Sequence, residues 1–187
     1  MFYVILMISE SNNMSHDPKR SAANAAMIEN MQNEPACYKA ADIARGVTRL
    51  FARHAIWMMG EYSLPNKRRA DLVGLDKAGN IIMVEIKVAK ADLLGDQKWT
   101  EYLDYCDQFY WALSPAMDSN IVNGELFMPE RTGLIIADQY DAEILRPASR
   151  NALAPARRNK LLKDMAHMGL RRVALHNDPH IITADEV

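Results

Sequence analysis

The stretch Arg68-Arg69-Ala70-Asp71-Leu72-Val73-Gly74-Leu75, followed by Asp76-Lys77-Ala78-Gly79-Asn80 and Ile81-Ile82-Met83-Val84-Glu85-Ile86-Lys87-Val88, decides the fold. Two apolar runs rich in β-formers, parted by a short breaker with a glycine, read as an antiparallel hairpin with strands over residues 69–75 and 81–88. A loop of three residues, Lys77 to Gly79, makes the pairing symmetric about Ala78 and sets Asp71 opposite Glu85, with Arg69 opposite Lys87. Side chains alternate along a strand, so Glu85 and Lys87 share a face, and the register brings Asp71 onto it. Leu72, Val84, Ile86 and Val88 line one face of the hairpin, and Val73, Leu75, Ile81 and Met83 the other. That is the pattern of a sheet covered on both sides.

Charges in such a sheet need a physical reason. A buried carboxylate costs several kcal/mol unless it is paired or binds a cation, and two adjacent carboxylates repel. A hard divalent ion resolves both difficulties: Mg²⁺ (or Mn²⁺) takes one or two protein carboxylates and leaves its other positions to water and phosphate. Asp71 and Glu85 are the candidate metal ligands. Lys87 is then placed to orient or help deprotonate an attacking water, or to neutralise charge developing on a phosphate. The competing reading is a structural salt-bridge cluster of Asp71, Glu85, Lys87 and Arg69, since a Glu-x-Lys pair alone recurs by chance.

Outward from the hairpin, apolar residues recur at helical spacing from Cys37 to His54, with Gly46 weakening the helix and His54 ending it. Ala55 to Met59 reads as a strand. Asp92 is a candidate cap for a second helix running through Trp99, Tyr102, Leu103 and Tyr105, with Trp99 facing the core. Gln108 to Leu113, Gly133 to Ala137 and Ala142 to Leu145 read as strands, and Pro155 precedes a helix to about Leu170. The order α, three β, α, β predicts an α/β fold with a mixed central sheet flanked by helices.

Composition supports one such domain. The chain has 187 residues, 49% of them hydrophobic and 25% charged, enough to bury a real core. A net charge of −2 supplies no global attraction to polyanions, so phosphate binding rests on local patches. Lys67, Arg68 and Arg69 form one such patch beside the hairpin, and Arg157, Arg158, Lys160, Lys163, Arg171 and Arg172 stud the last helix. The two cysteines match no metal-ligand spacing and fit a reduced cytoplasmic state. The opening Met-Phe-Tyr-Val-Ile-Leu-Met-Ile is too short to span a membrane, and residues 1–36 read as a poorly ordered leader with Met14 and Met27 as alternative starts. Residues 37–172 form the domain and 173–187 a tail. No Gly-x-Gly-x-x-Gly or P-loop signature is present, which argues against nucleotide-driven enzymes.

Asp71 followed by Glu85-x-Lys87 on a hairpin between two helices resembles the PD-(D/E)xK nuclease superfamily, with its restriction-endonuclease-like αβββαβ core. More narrowly, Glu61-Tyr-Ser-Leu-Pro, Arg68-Arg-Ala-Asp71, Val84-Glu-Ile-Lys87, Asp96-Gln-Lys-Trp99 with Glu101-Tyr102, Tyr105-Cys-Asp107 and Gly133-Leu-Ile-Ile-Ala-Asp138 resemble the MmcB-type bacterial DNA-repair family, over roughly Cys37 to Arg172. The resemblance implies a metal-dependent, nuclease-like protein of DNA repair that hydrolyses phosphodiester bonds through Asp71, Glu85 and Lys87. The alternative is a DNA-binding or interaction module that keeps the fold without turnover. Ala70 stands where superfamily members often have proline, and Asp42 is the acidic residue available on the first helix. Glu61 is either a further ligand or a rim charge. Where some relatives carry Gln and Tyr four apart on the helix after the Glu-x-Lys strand, this chain has Lys98 and Tyr102, with Gln97 beside Lys98. Gln97 and Lys98 are therefore expected as auxiliary catalytic contacts, and Lys67, Arg68, Arg69, Lys98 and Tyr102 as DNA contacts. A homodimer is compatible with the sequence.

Overall fold

The computed structural model describes residues 38–182. The leader at residues 1–36, its alternative starts and Cys37 lie outside the described residues. Six strands form one sheet in sequential order: β1 (Trp57–Ser63), β2 (Arg69–Leu75), β3 (Ile81–Lys87), β4 (Gln108–Leu113), β5 (Gly133–Ala137) and β6 (Ala142–Arg146). β1, β2 and β3 run antiparallel, β3, β4 and β5 parallel, and β6 returns antiparallel. The sheet is mixed, with helices on both faces, and fits the restriction-endonuclease-like fold.

β3 is buried along its whole length, as its unbroken apolar reading requires of a central strand. Helix α1 (Ala40–Arg53) covers one face, packing Ile43, Val47, Leu50 and Phe51 on Leu72, Ile82, Val84, Ile86 and Tyr110. Gly46 is there for close approach: a Cβ would lie 2.2 Å from the Asp138 carbonyl oxygen and 2.5 Å from that of Asp141. On the other face Trp111 is fully buried, its ring 5.1 Å from Trp99, 5.2 Å from Phe109 and 5.6 Å from Phe127. The parallel step from β3 to β4 is bridged by a short helix α2 (Lys90–Gly95) and a 3₁₀ turn over Trp99–Asp104. Helix α3 (Pro155–Asn177) sends Leu161 and Met165 into the same core.

Four expectations need correction. The first strand begins at Trp57 and runs to Ser63, because Ala55, with φ 57°, and the Ile56 N–H on the Phe51 carbonyl still belong to the turn that closes α1. The strand in the hairpin ends at Lys87, since Ala89 already caps α2. The second helix is not continuous, and Asp92 sits in its first turn; Asp96, at ψ 81°, breaks the run, and the remainder is 3₁₀. The last helix extends to Asn177, past the expected end near Leu170 and into the segment read as a tail. Leu170 and Val173 on its final turns face solvent, so burial leaves no periodic trace there.

Candidate functional site

Pairing within the hairpin is symmetric about Ala78, with Leu75 opposite Ile81 and Leu72 opposite Val84. Asp76 builds the turn, its Oδ1 accepting from the Ala78 and Asn80 amides, and Gly79 takes φ 81°. The ladder stops at Leu72, one pair short of Asp71 and Glu85. There the Asp71 Oδ2 replaces backbone, accepting the Ile86 N–H at 2.7 Å. The two strands part at the point where the carboxylates meet.

Glu85 is 7% and Lys87 5% exposed, on β3. The Lys87 ammonium donates to Glu85 Oε1 at 3.2 Å and to Asp96 Oδ2 at 2.9 Å, and lies 3.7 Å from Asp92 Oδ1. The other oxygen of Glu85, Oε2, is buried without a hydrogen-bond partner among the described residues. Burial first, and then the Asp71 charge, push the Glu85 carboxyl up to about 8 against the pull of Lys87. Burial also raises Asp71, although the Ile86 amide and the Lys87 charge hold it down. Burial alone would lower the Lys87 ammonium, but the Asp96 hydrogen bond and the Glu85 and Asp96 charges outweigh it and raise it above its ordinary value. Lys87 is therefore a fixed cation at neutral pH. It can stabilise negative charge but is poorly suited to accept a proton.

Of the predicted residues, Asp71, Glu85 and Lys87 come together, while Gln97 and Lys98 are exposed on the turn after α2. Lys98 caps the 3₁₀ segment, where residues four apart diverge by about 120° instead of sharing a face. Tyr102 is buried, and its hydroxyl donates to the Arg69 carbonyl at 3.0 Å, so it braces β2 from below. Arg68 forks onto Glu101 at 2.9 and 3.0 Å, Arg69 pairs with Glu61 at 2.6 Å, and Lys67 is exposed in the turn between β1 and β2. Glu61 adopts φ 53°, its carbonyl and that of Gly60 both accepting from Arg172. Asp42 is engaged locally, accepting from the Lys39 amide and pairing with Arg45.

Much of the basic run on α3 is already engaged. Arg157 reaches the Asp104 carbonyl, Lys160 pairs with Asp164, and Arg158 forks onto Asp107 at 2.6 and 2.7 Å. Lys163 and Arg171 remain exposed. Sequence reasoning missed Asp96 as a member of the site, although it opens the quoted Asp96-Gln-Lys-Trp99 motif. The expected helix runs on through this position, whereas α2 ends at Gly95 and Asp96 stands at its C-terminal cap. Among the described residues no group of three His, Cys, Asp or Glu side chains is gathered for a metal ion, and no helix is long and apolar enough to cross a membrane.

Comparison with known proteins bears on the family and the fold. A solved structure of the SPO1766 protein of unknown function from Silicibacter pomeroyi is 34% identical and superposes with a TM-score of 0.71, covering 80% of this chain and 99% of that one. No curated protein matches. Residues 24–180 match the family described as DNA repair protein MmcB-like. That span holds the hairpin, both carboxylates, Lys87 and Asp96, and the chain belongs to the MmcB-like DNA repair protein family.

Proposed function

We propose that the protein is a Mg²⁺- or Mn²⁺-dependent nuclease of DNA repair, with Asp71, Glu85 and Lys87 as its working residues. The observation that carries this is Glu85 Oε2, a buried carboxyl oxygen without a partner among the described residues, beside the half-buried Asp71. A buried acceptor left unpaired costs about 1–3 kcal/mol, and hard divalent ions bind carboxylate oxygens of this kind. Asp71 and Glu85 would hold the ion, which when bound polarises a phosphate and lowers the pKa of coordinated water. Lys87, kept protonated, offers its ammonium to negative charge building on the phosphate oxygens as the P–O bond is cleaved. Arg68 and Arg69 lie at the start of β2, the strand that carries Asp71, in weak exposed ion pairs with Glu101 and Glu61, and can exchange these glutamates for backbone phosphates.

A second reading, a DNA-binding module without turnover, has its own support. Lys87 is already bonded to two carboxylates, and among the described residues no third acid is gathered with Asp71 and Glu85 for a metal ion. The two readings separate in one experiment, in which single-stranded, duplex, flapped and branched DNA are incubated with Mg²⁺, Mn²⁺ or chelator. The nuclease reading expects cleavage that needs the cation and is lost in Glu85→Ala and Lys87→Ala. A binding module leaves every substrate intact but retains salt-sensitive affinity, weakened in Arg68→Ala/Arg69→Ala with a salt slope about one to two units shallower. Neither cutting nor binding on any substrate defeats both.

A further inference from the structure

We propose that Asp96 is a positioning residue of this site: it holds the Lys87 ammonium to the side, so that Glu85 keeps Oε2 free for a divalent cation. The inference rests on the cation reading given above and extends it to a residue outside the hairpin.

The geometry is specific. Lys87 is nearly buried and must satisfy its ammonium with nearby acceptors. Two of its neighbours accept hydrogen bonds, Asp96 Oδ2 at 2.9 Å and Glu85 Oε1 at 3.2 Å, and the shorter bond is to Asp96. Asp92 lies farther off, at 3.7 Å, with its side chain 60% exposed. Asp96 reaches the ammonium from the break between α2 and the 3₁₀ turn, where ψ 81° ends the helix. The break therefore serves the site. Without Asp96, Glu85 would be the hydrogen-bonding carboxylate left to the ammonium. Lys87 would then settle between both Glu85 oxygens and compete with the cation for Oε2. Asp96 divides the donors of Lys87 between two carboxylates and keeps one oxygen uncommitted.

The test is Mn²⁺ binding to the full chain, followed by calorimetry, in a double-mutant cycle of Asp96→Asn and Lys87→Met, with thermal melts to confirm folding. Partners that orient a ligand are typically worth 10–100-fold in metal affinity. Asp96→Asn is expected to weaken Mn²⁺ binding about tenfold in the wild-type background and by less than about twofold when Lys87 is already methionine. Asp92→Asn, which removes the same charge from an exposed position, is expected to stay within about twofold. Equal losses from Asp96→Asn in both backgrounds, or no loss in the wild type, overturn the inference, because Asp96 would then not act through Lys87. If Asp96→Asn fails to fold, Asp96→Ala takes its place in the same cycle: a loss of about tenfold that vanishes in the Lys87→Met background supports the role, and equal losses in both backgrounds or none overturn it. A wild-type protein that takes up no Mn²⁺ defeats the cation reading itself, an outcome seen before any Asp96 variant is compared.

Discussion

Replacing Glu85 with glutamine should make the protein more stable in mild alkali. The Glu85 carboxyl is buried, and its affinity for a proton is raised from an ordinary 4.5 to about 8. A carboxyl that is more basic when folded favours the folded state while protonated, so its contribution is complete below about pH 4.5 and is lost as pH rises through about 8. Across that window stability falls by about 1.4 kcal/mol per pH unit, to a ceiling of about 5 kcal/mol. Glutamine carries no charge at any pH yet keeps an oxygen for the Lys87 ammonium. Some of the gain is offset because Lys87 loses an anionic neighbour, leaving about 2–3 kcal/mol in favour of Glu85→Gln at pH 8.5. That corresponds to roughly 4–12 °C in Tm for a domain of this size. At pH 5 the two proteins should nearly coincide. Urea unfolding between pH 5 and 9 in chelator, read by the fluorescence of buried Trp99 and Trp111, measures the difference. Parallel stability curves for wild type and variant across this range would refute the argument.

Two further outcomes follow from packing and pairing. Arg158→Leu strands the Asp107 carboxylate, whose side chain is 0% exposed, and should cost about 3–5 kcal/mol in denaturant unfolding at pH 7. The Arg158 fork and two backbone amides overcome burial and hold Asp107 below its ordinary range, so its support is present at neutral pH and fades as pH falls through that lowered value. The cost of Arg158→Leu should accordingly shrink in acid. Gly46→Ala gains about 1 kcal/mol of helix propensity but drives a methyl to within 2.2 Å of a backbone oxygen, and thermal melts should show a net loss of about 2 kcal/mol or more.

The hairpin was legible because its signals are local. β2, β4 and β5 occupy the ranges their apolar runs define, and symmetry about Ala78 gives the pairing register from the turn alone. Asp71, Glu85 and Lys87 were therefore readable together. The actual contact was not: the ladder opens one pair early and the Asp71 carboxylate bonds the Ile86 amide, which depends on how β2 leaves β3. Asp96 was hidden because the Asp92–Tyr105 run has apolar residues at helical spacing, and spacing does not register a break made by one aspartate turning toward a buried lysine. Charge runs misled for a related reason. Arg157, Arg158 and Arg172 look alike in sequence, yet each is tied to a backbone carbonyl or carboxylate far away in the chain. Only the fold reveals which cations remain available.

The Asp107 carboxylate also fixes how the molecule comes apart. It receives the amide of Ile81 at the head of β3, the amide of Leu153 on the approach to α3, and the fork of Arg158 within that helix. The innermost strand and the final helix are thereby clasped to one atom pair, so neither can detach while the other stays folded. Amide hydrogens at Ile81 and Leu153, distant in sequence, should exchange with solvent through a shared opening event, with protection close to that of global unfolding.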